Sequence, residues 1–226
     1  MSARGLFVTG TDTGVGKTRV AVALIHALRA HGLRVVAMKP VSAGSAVGEL
    51  NEDVAALVQA ANVDVDVRDV NPYAFAEPVA PHIAAKSLGV RIDLEVIAEA
   101  YARLAAAADV VVVEGAGGWR VPLNEHEDMA DLALRLSLPV VLVVGLRLGC
   151  LNHALLTAES IALRRVPWAG WVGNHIEPAM QLTAENLVAL RTRLPGPCLG
   201  VQGFLEREGL VVNMPQWLTL PDWLVS

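Results

Sequence analysis

The sequence predicts an α/β fold with a mostly parallel sheet and helices on both of its faces, and three observations lead to this prediction. Short runs rich in β-branched residues alternate with stretches rich in Ala and Leu. A glycine-rich turn that ends in Lys-Thr joins the first such run to the first helical stretch. The chain of 226 residues is 54% hydrophobic and no Ser/Gly/Pro-rich linker divides it, so we expect a single domain over residues 1–226.

The elements follow from the apolar patterns in chain order. Strands are predicted at six β-branched runs: Leu6–Thr9, Arg34–Met38, Val110–Glu114, Val140–Gly145, Trp168–Gly173 and Cys198–Val201. Helices are predicted where apolar residues recur at helical spacing: Lys17–His31, Glu52–Ala61, Leu94–Ala107, Ala130–Leu136, Leu151–Leu163 and Thr183–Leu194. The last stretch, Arg207–Ser226, contains two prolines, and we expect a packed irregular tail there instead of a long helix.

Composition excludes several classes of function. The net charge of −5 and the absence of a Lys/Arg run argue against nucleic acid or an anionic membrane as the principal partner. No apolar stretch reaches about 18 residues and no signal sequence precedes the first strand, so we expect a soluble cytoplasmic protein. Cys150 and Cys198 lack the spacing of a metal or redox motif, and we interpret both as packing residues.

A phosphate-binding loop is predicted at Gly10–Thr18, between the first strand and the first helix. Glycines let the backbone approach a phosphate chain closely, and the N-terminus of the following helix favours an anion. In such a loop Lys17 would reach the β- and γ-phosphates, and the hydroxyl of Thr18 would ligate Mg²⁺. A glycine-rich turn that binds nothing is the alternative, and the order of strand, loop, Lys-Thr and helix disfavours it.

The loop departs from the commonest phosphate-loop pattern, because Gly10 lies one residue too early and Thr11 occupies the place of the first glycine. Aligned with the variant K-G-G-x-G-K-T, the chain has Asp12 instead of the first lysine and Thr13 instead of the first glycine. That lysine reaches the partner's nucleotide in the dimeric switch ATPases, and an aspartate cannot do so. The loop therefore predicts a P-loop NTPase-like protein with a deviant Walker A motif, related to the switch ATPases.

Two carboxylates are candidates for holding Mg²⁺. Glu114 ends an apolar strand, where a phosphate-loop enzyme needs a carboxylate for the metal, although an acid there could also cap the next turn. Asp53 lies at the start of a predicted helix, where an acid usually serves as a cap or dipole partner. Since Asn51 is the better cap, Asp53 stays available as a second metal carboxylate.

A second cation is predicted beside the phosphate loop at Lys39, which follows a strand and is fixed by Pro40. A surface lysine is ordinarily solvated. A lysine in this place would instead offset the repulsion between the γ-phosphate of ATP and an anionic acceptor. His82 and His153 are isolated near helix starts, where histidines are more often structural, and we assign neither as a catalyst.

With these motifs in place, the chain resembles the dethiobiotin synthetase family, the biotin-pathway ligases that close a cyclic urea on 7,8-diaminononanoate. The resemblance rests on ordered segments: Gly10–Thr18, Lys39-Pro40-Val41, Asn71-Pro72-Tyr73, Pro81-His82, Val113–Trp119 and Gly149–Ala154. It implies that CO₂ and the diamine form a carbamate, that ATP phosphorylates it, and that the second amine displaces phosphate. It also implies a homodimer in which the partner subunit supplies part of the substrate site.

The resemblance implies a role for each matching position. Lys39 and Lys17 would be the catalytic cations, and Mg²⁺ would bind at Thr18, Asp53 and Glu114. ATP would contact Asp12, Thr13, Gly14, Val15, Gly16, Lys17, Thr18, Asp53, Glu114, Gly115, Ala116, Gly117, Asn174, His175, Gly203, Phe204 and Leu205, with Asn174 reading the adenine. The diamine would contact Lys39, Ser42, Gly117, Gly149, Cys150, Leu151 and Asn152, the last four from the other subunit.

The chain departs from the family pattern at three places. Ala43 stands where the family usually has a hydroxyl residue, and Ser42 in the Val41–Gly44 turn is the nearest replacement. Gly203 stands where a proline normally flanks the adenine, and His175 where an acid is frequent. Two other functions remain open: a related ring-forming ligase, which usually needs an extra glutaminase domain, and a non-enzymatic dimeric switch ATPase.

Overall fold

A computed structural model describes residues 4–45, 49–205 and 216–225. Its main sheet has six parallel strands in the order β2-β5-β1-β6-β7-β8, and a second, two-stranded sheet pairs β3 with β4. The strands are β1 Arg4–Gly10, β2 Val35–Met38, β3 Val41–Ala43, β4 Tyr73–Phe75, β5 Val110–Glu114, β6 Val140–Leu146, β7 Trp168–His175 and β8 Cys198–Gln202. The helices are α1 Lys17–Ala30, α2 Glu52–Ala60, α3 Val67–Val70, α4 Pro81–Ser87, α5 Leu94–Ala107, α6 Met129–Leu136, α7 Cys150–Leu163, α8 Thr183–Arg193 and α9 Asp222–Val225.

The predicted fold class is confirmed, and all six predicted strands and six predicted helices are present with ends shifted by at most two residues. The expected turn at Val41–Gly44 is wrong, because Val41–Ala43 is a strand paired in parallel with Tyr73–Phe75. Gly44 follows this strand with φ of 85°. The short helices α3, α4 and α9 were not predicted either, since four to seven residues give too little helical periodicity.

The core lies on both faces of the main sheet, and the strand period of two divides side chains between the faces. Phe7 packs on the face covered by α5 and α6, whereas Leu6 and Val8 pack on the face covered by α1. In β5, Val111 and Val113 lie on the same face of the sheet as Phe7, and the valines next to them lie on the opposite face. Strands covered on both faces need apolar residues at every position, which explains the continuous apolar runs in the sequence.

The described part of the C-terminal tail packs against the α1 face of the sheet through Trp217, Leu218, Leu220 and Leu224. Leu218 forms an antiparallel bridge with Gly200 in β8. The prediction of a packed tail holds for these residues, apart from the short helix α9, while residues 207–215 and 226 lie outside the described residues. Among the residues that are described, no helix is both long and apolar enough to cross a membrane.

Candidate functional site

An open cavity of about 1080 Å³ lies at the carboxyl edge of the main sheet. Parallel sheets bind ligands at this edge, beyond the ends of the strands. Most of the predicted site residues line it: Thr13, Gly14, Gly16, Lys17, Thr18, Lys39, Ser42, Asp53, Glu114, Ala116, Gly117, Asn174, His175, Phe204 and Leu205. The structure therefore brings together residues that lie up to 192 positions apart in the chain, from Thr13 to Leu205.

The phosphate loop takes the backbone form that its glycines permit. Gly14 and Gly16 have φ of 74° and 89°, in the left-handed region that favours glycine. A side chain at Gly16 would also collide with the amide of Asn174, because a Cβ there would lie 2.1 Å from its Nδ2. α1 begins directly after Gly16 without a side-chain cap, so the first N–H groups of the helix are available to an anion.

Lys17 is buried at the floor of the loop, and its ammonium donates to the backbone oxygen of Asp12 at 3.2 Å. Its pKa is lowered to about 8, chiefly by burial, with the nearby ammonium of Lys39 acting in the same direction and Glu114 and Asp53 opposing it. A phosphate chain would supply the counter-charge that this lysine lacks.

Three oxygen-bearing side chains converge beside Lys17. The hydroxyl of Thr18 lies 2.8 Å from Oδ1 of Asp53 and 2.9 Å from Oε1 of Glu114. A hydroxyl carries one hydrogen, so it cannot serve both carboxylates fully. Oε2 of Glu114 is buried and has no hydrogen-bond partner in the described part of the chain. The set matches the hard oxygen ligands that Mg²⁺ prefers.

Asp53 is free to join this cluster because Asn51 caps α2, as predicted. The side chain of Asn51 accepts the N–H of Asp53 at 3.0 Å.

The described residues contain no group of three or more His, Cys, Asp or Glu side chains that could hold a metal. Two carboxylates and a hydroxyl are the sparse protein contribution typical of Mg²⁺ sites completed by phosphate and water.

Lys39 extends from the end of β2 into the same cluster and is 5% exposed. Its ammonium donates to Oδ2 of Asp53 at 2.9 Å and to Oε1 of Glu114. Burial by itself lowers the pKa of Lys39, but the two carboxylates outweigh it and hold the pKa above its ordinary value. The ammonium of Lys39 therefore stays positively charged in the folded protein at neutral pH.

Ser42 is buried, at 2% exposure, and donates its hydroxyl hydrogen to Oδ1 of Asn71 at 2.8 Å. The amide of Asn71 in turn donates to the backbone oxygens of Lys39 and Tyr73. Ser42 thus neither faces solvent nor caps a turn. It lines the cavity while tying the two-stranded sheet to the strand end that carries Lys39.

The glycine-rich segment after β5 packs directly on the phosphate loop. Gly117 has φ of 63°, and a Cβ there would lie 2.7 Å from Val121 and 3.4 Å from the hydroxyl of Thr13. A Cβ on Gly118 would meet the backbone of Gly10 and Asp12 at ordinary contact distance. This close approach holds the two loops against each other at the mouth of the cavity.

The cavity lining also includes Asn174, His175, Ile176, Phe204 and Leu205, which lie at or after the ends of β7 and β8. Asn174 is buried at the end of β7, where its Nδ2 donates to the backbone oxygen of Val15 at 2.8 Å. Its Oδ1 has no hydrogen-bond partner among the described residues. A fixed amide with a free acceptor in the lining of a cavity is suited to an amino group of a flat ligand.

Some predicted site residues do not line the cavity. Asp12, Val15, Gly115 and Gly203 lie outside its lining, as does the segment Gly149–Asn152 at the start of α7. Cys150 packs in the core, and both cysteines are free thiols, in agreement with their interpretation as packing residues.

Sequence reasoning missed several residues at or near the cavity. Arg19, Ile176 and Val79 line it. Arg147 lies outside the lining and pairs with Asp12 of the phosphate loop, with 2.9 Å between Nη2 and Oδ2. Arg147 and Ile176 stand at strand ends and could have been found by the rule that ligands gather there. Arg19 follows the Lys-Thr pair, and no sequence motif distinguishes it from an ordinary helix residue. Val79 precedes a helix that is too short to be predicted from sequence.

Comparison with known proteins gives a consistent result. A family described as an AAA domain matches residues 4–206. The ATP-dependent dethiobiotin synthetase BioD of Nitrosospira multiformis is 55% identical over 198 residues, covering 88% of this chain and 87% of the relative. The BioD proteins of Aromatoleum aromaticum and Pseudomonas aeruginosa are 55% and 51% identical, covering 88% and 86% of this chain and 89% and 87% of their own lengths.

Among solved structures, chloroplast FtsY from Physcomitrella patens superposes with a TM-score of 0.51 at 17% sequence identity. The alignment covers 100% of this chain but 64% of the FtsY chain. At this level of identity the likeness concerns the α/β fold alone.

Proposed function

The chain belongs to the family of ATP-dependent dethiobiotin synthetases, and we propose on that basis that its cavity binds ATP beside 7,8-diaminononanoate and closes the cyclic urea of dethiobiotin. The reaction consumes CO₂ and ATP, releases ADP and phosphate, and forms part of biotin synthesis. The protein is thus a carbon–nitrogen ligase. Its two free cysteines fit the reducing cytoplasm, which we propose as its location.

One observation in the structure carries the proposal: two buried lysines flank two carboxylates and the Thr18 hydroxyl at the mouth of a phosphate loop. Transfer of a phosphoryl group to an anionic acceptor is opposed chiefly by charge repulsion. Lys17 is placed in the phosphate loop, where it can follow the phosphates, whereas Lys39 reaches the carboxylates from the end of β2. A site that only exchanges and hydrolyses nucleotide has no need of this second buried cation.

The chemistry needs positioning and charge but no enzyme nucleophile. One amine of the diamine adds to CO₂ and loses a proton, which gives a carbamate anion. A carbamate oxygen takes the γ-phosphoryl group of ATP, and ADP leaves. The second amine then attacks the carbonyl carbon and phosphate departs, which closes the ring. Lys39 would offset the negative charge of the carbamate and of the phosphorylated carbamate. Lys17 would stay beside the phosphoryl group while it is transferred.

Thr18, Asp53 and Glu114 would hold Mg²⁺, which supplies charge neutralisation at the β- and γ-phosphates when bound. The unpaired Oε2 of Glu114 and the shared Thr18 hydroxyl support this assignment. In the absence of other cations, the ammonium of Lys39 pairs with the same two carboxylates. Once another cation neutralises these carboxylates, Lys39 can interact with the anionic acceptor.

We further propose a homodimer in which Gly149–Asn152 of one subunit completes the diamine site of the other. This segment lies outside the cavity of its own chain, and α7 begins without a side-chain cap, so its first N–H groups can receive the substrate carboxylate. Leu156 and Leu163 of α7 are 58% and 83% exposed, and Leu148, which precedes the helix, is 95% exposed. Such apolar exposure along a helix and the residue before it supports an interface.

The test is phosphate release with ATP and Mg²⁺, measured with and without diaminononanoate and bicarbonate. The proposal predicts release that requires both the diamine and the carbon source, since the acceptor is the carbamate. An equal rate without the diamine would contradict the ligase function and support a switch ATPase instead.

A further inference from the structure

Among the described residues that line the cavity, Arg19 is the one Lys or Arg side chain that none of the roles above uses. It lies on the first turn of α1, directly after Thr18, and its side chain is half-buried in the cavity wall. Its hydrogen bond lies in a solvent-exposed setting, so an anion that enters the cavity can reach the guanidinium. Within residues 4–45, 49–205 and 216–225, no carboxylate forms an ion pair with it.

The guanidinium of Arg19 instead contacts the segment after β8. Its Nη1 donates to the backbone oxygen of Leu205 at 3.3 Å. Leu205 lines the cavity, as do Phe204 and Asn174. One side chain therefore connects the start of α1, where phosphates bind, to the segment that would cover a base.

The place of Arg19 along a bound nucleotide follows from its neighbours. Lys17 and Thr18 are predicted to bind the β- and γ-phosphates, and Phe204 and Leu205 are predicted to contact the same nucleotide from the segment after β8. Arg19 follows Thr18 directly and contacts Leu205, so a nucleotide held by both segments would bring its α-phosphate near this side chain. A guanidinium has five N–H donors in a planar fork, so it can keep the Leu205 carbonyl and bind a phosphate oxygen at once.

We propose that Arg19 binds the α-phosphate of the nucleotide while it holds Leu205, and so joins the phosphate end of the site to the base end. The inference rests on the proposed ATP site but goes beyond it, because no step of the ligase reaction requires this residue. It makes Arg19 a binding residue shared by ATP, ADP and AMP.

The experiment measures the calorimetric affinities of ADP, AMP and adenosine for the wild-type protein and three variants. Arg19→Met should weaken ADP and AMP by about tenfold, the scale of one hydrogen bond to a charged group, and leave adenosine within about twofold. Arg19→Lys should recover part of the loss, since it keeps the charge but not the fork. Arg193→Met, an exposed arginine of α8 outside the cavity, removes the same charge and should change nothing.

Unchanged ADP and AMP affinities in Arg19→Met would overturn the inference, and so would a loss that is equally large for adenosine. In turnover with the diamine, the KM for ATP should rise in Arg19→Met. Failure of the wild-type protein to bind ADP would contradict the proposed ATP site itself, which separates that failure from a failure of Arg19 alone. Thermal unfolding without nucleotide checks that the variants remain folded.

Discussion

At the scale of single residues, two buried lysines with shared neighbours have opposite pKa shifts. The ammonium of Lys39 touches two carboxylates directly, and its pKa is raised although burial acts against it. Lys17 has one backbone oxygen as its direct partner, and burial lowers its pKa to about 8. In the nucleotide-free protein Lys39 therefore stays charged at neutral pH, whereas Lys17 loses its proton around pH 8, below the ordinary lysine pKa near 10.

Nucleotide binding should return that proton. Phosphate oxygens beside Lys17 favour its charged form, so the bound protein holds a proton that the free protein has lost above its lowered pKa. We expect ADP binding in the presence of a chelator to take up close to one proton at about pH 9, and almost none at about pH 7. Calorimetry in buffers of different ionisation enthalpy measures this number, and the absence of uptake at the higher pH would contradict the shift.

The metal assignment is tested most cleanly at Asp53, because its side chain is 45% exposed while that of Glu114 is 1% exposed. Asp53→Asn should raise the Mg²⁺ concentration needed for half-maximal activity by at least about tenfold, the scale found even for partners of metal ligands. The melting temperature should change little. Glu114→Gln should lower both activity and stability, since it removes a buried partner of Lys39. If Asp53→Asn affects stability alone, Asp53 is not a metal ligand.

The hydroxyl of Ser42 is expected to stabilise the fold through Asn71. Ser42→Ala leaves the buried Oδ1 of Asn71 without this donor, which should lower the free energy of unfolding by about 1–3 kcal/mol. A cycle with Asn71→Ala and the double variant isolates the pair. Additive losses would show that the hydrogen bond contributes nothing. A separate fall in kcat/KM for the diamine, with an unchanged KM for ATP, would show that Ser42 also contacts substrate.

At the scale of elements, the loop after β5 and the phosphate loop hold each other in place. Gly117→Ala should cost about 1–2 kcal/mol of stability, because alanine is disfavoured at φ of 63° and its Cβ would lie close to Val121. The KM for ATP should rise with it. Gly118→Ala is the matched control, since its Cβ would meet neighbours no closer than 3.6 Å. Equal effects of the two substitutions in denaturant unfolding would contradict this account.

The sequence predicted those elements whose signal is local. β5 and β6 are continuous apolar runs, and the Asn51 cap lies two residues from the N–H it accepts. The strands Val41–Ala43 and Tyr73–Phe75 were missed because three residues carry little pattern and their pairing joins distant parts of the chain. The pair of Asp12 with Arg147 spans 135 positions and depends on the folded sheet, so no local pattern could predict it.

At the scale of the whole molecule, the strand order explains where the cavity lies. β1 lies between β5 and β6 in the main sheet. β2 and β5 lie on one side of β1, and β6, β7 and β8 lie on the other, so the strand order reverses direction at β1. Such a switch point opens a crevice at the carboxyl edge. The positions of Lys39 and Glu114 at strand ends were predicted from the residues themselves, and Asn174 from the family resemblance, although their contacts had to come from the structure.

The proposed dimer makes a prediction at the same scale. Leu156→Arg on the exposed face of α7 should convert a dimer into a monomer in sedimentation velocity, because a charge replaces apolar contact. The monomer should still bind ADP but should lose turnover with the diamine, since Gly149–Asn152 would no longer reach the other subunit. A variant that is monomeric and fully active would contradict the shared site.

The central claim is that one cavity couples ATP to the closure of a cyclic urea. Its most direct test supplies isotopically labelled bicarbonate, diaminononanoate, ATP and Mg²⁺, and follows labelled dethiobiotin by mass spectrometry together with ADP. We predict one labelled carbonyl carbon in each product molecule and one ADP for each product, with both lost in Lys39→Met. ADP that forms without labelled dethiobiotin would contradict the claim.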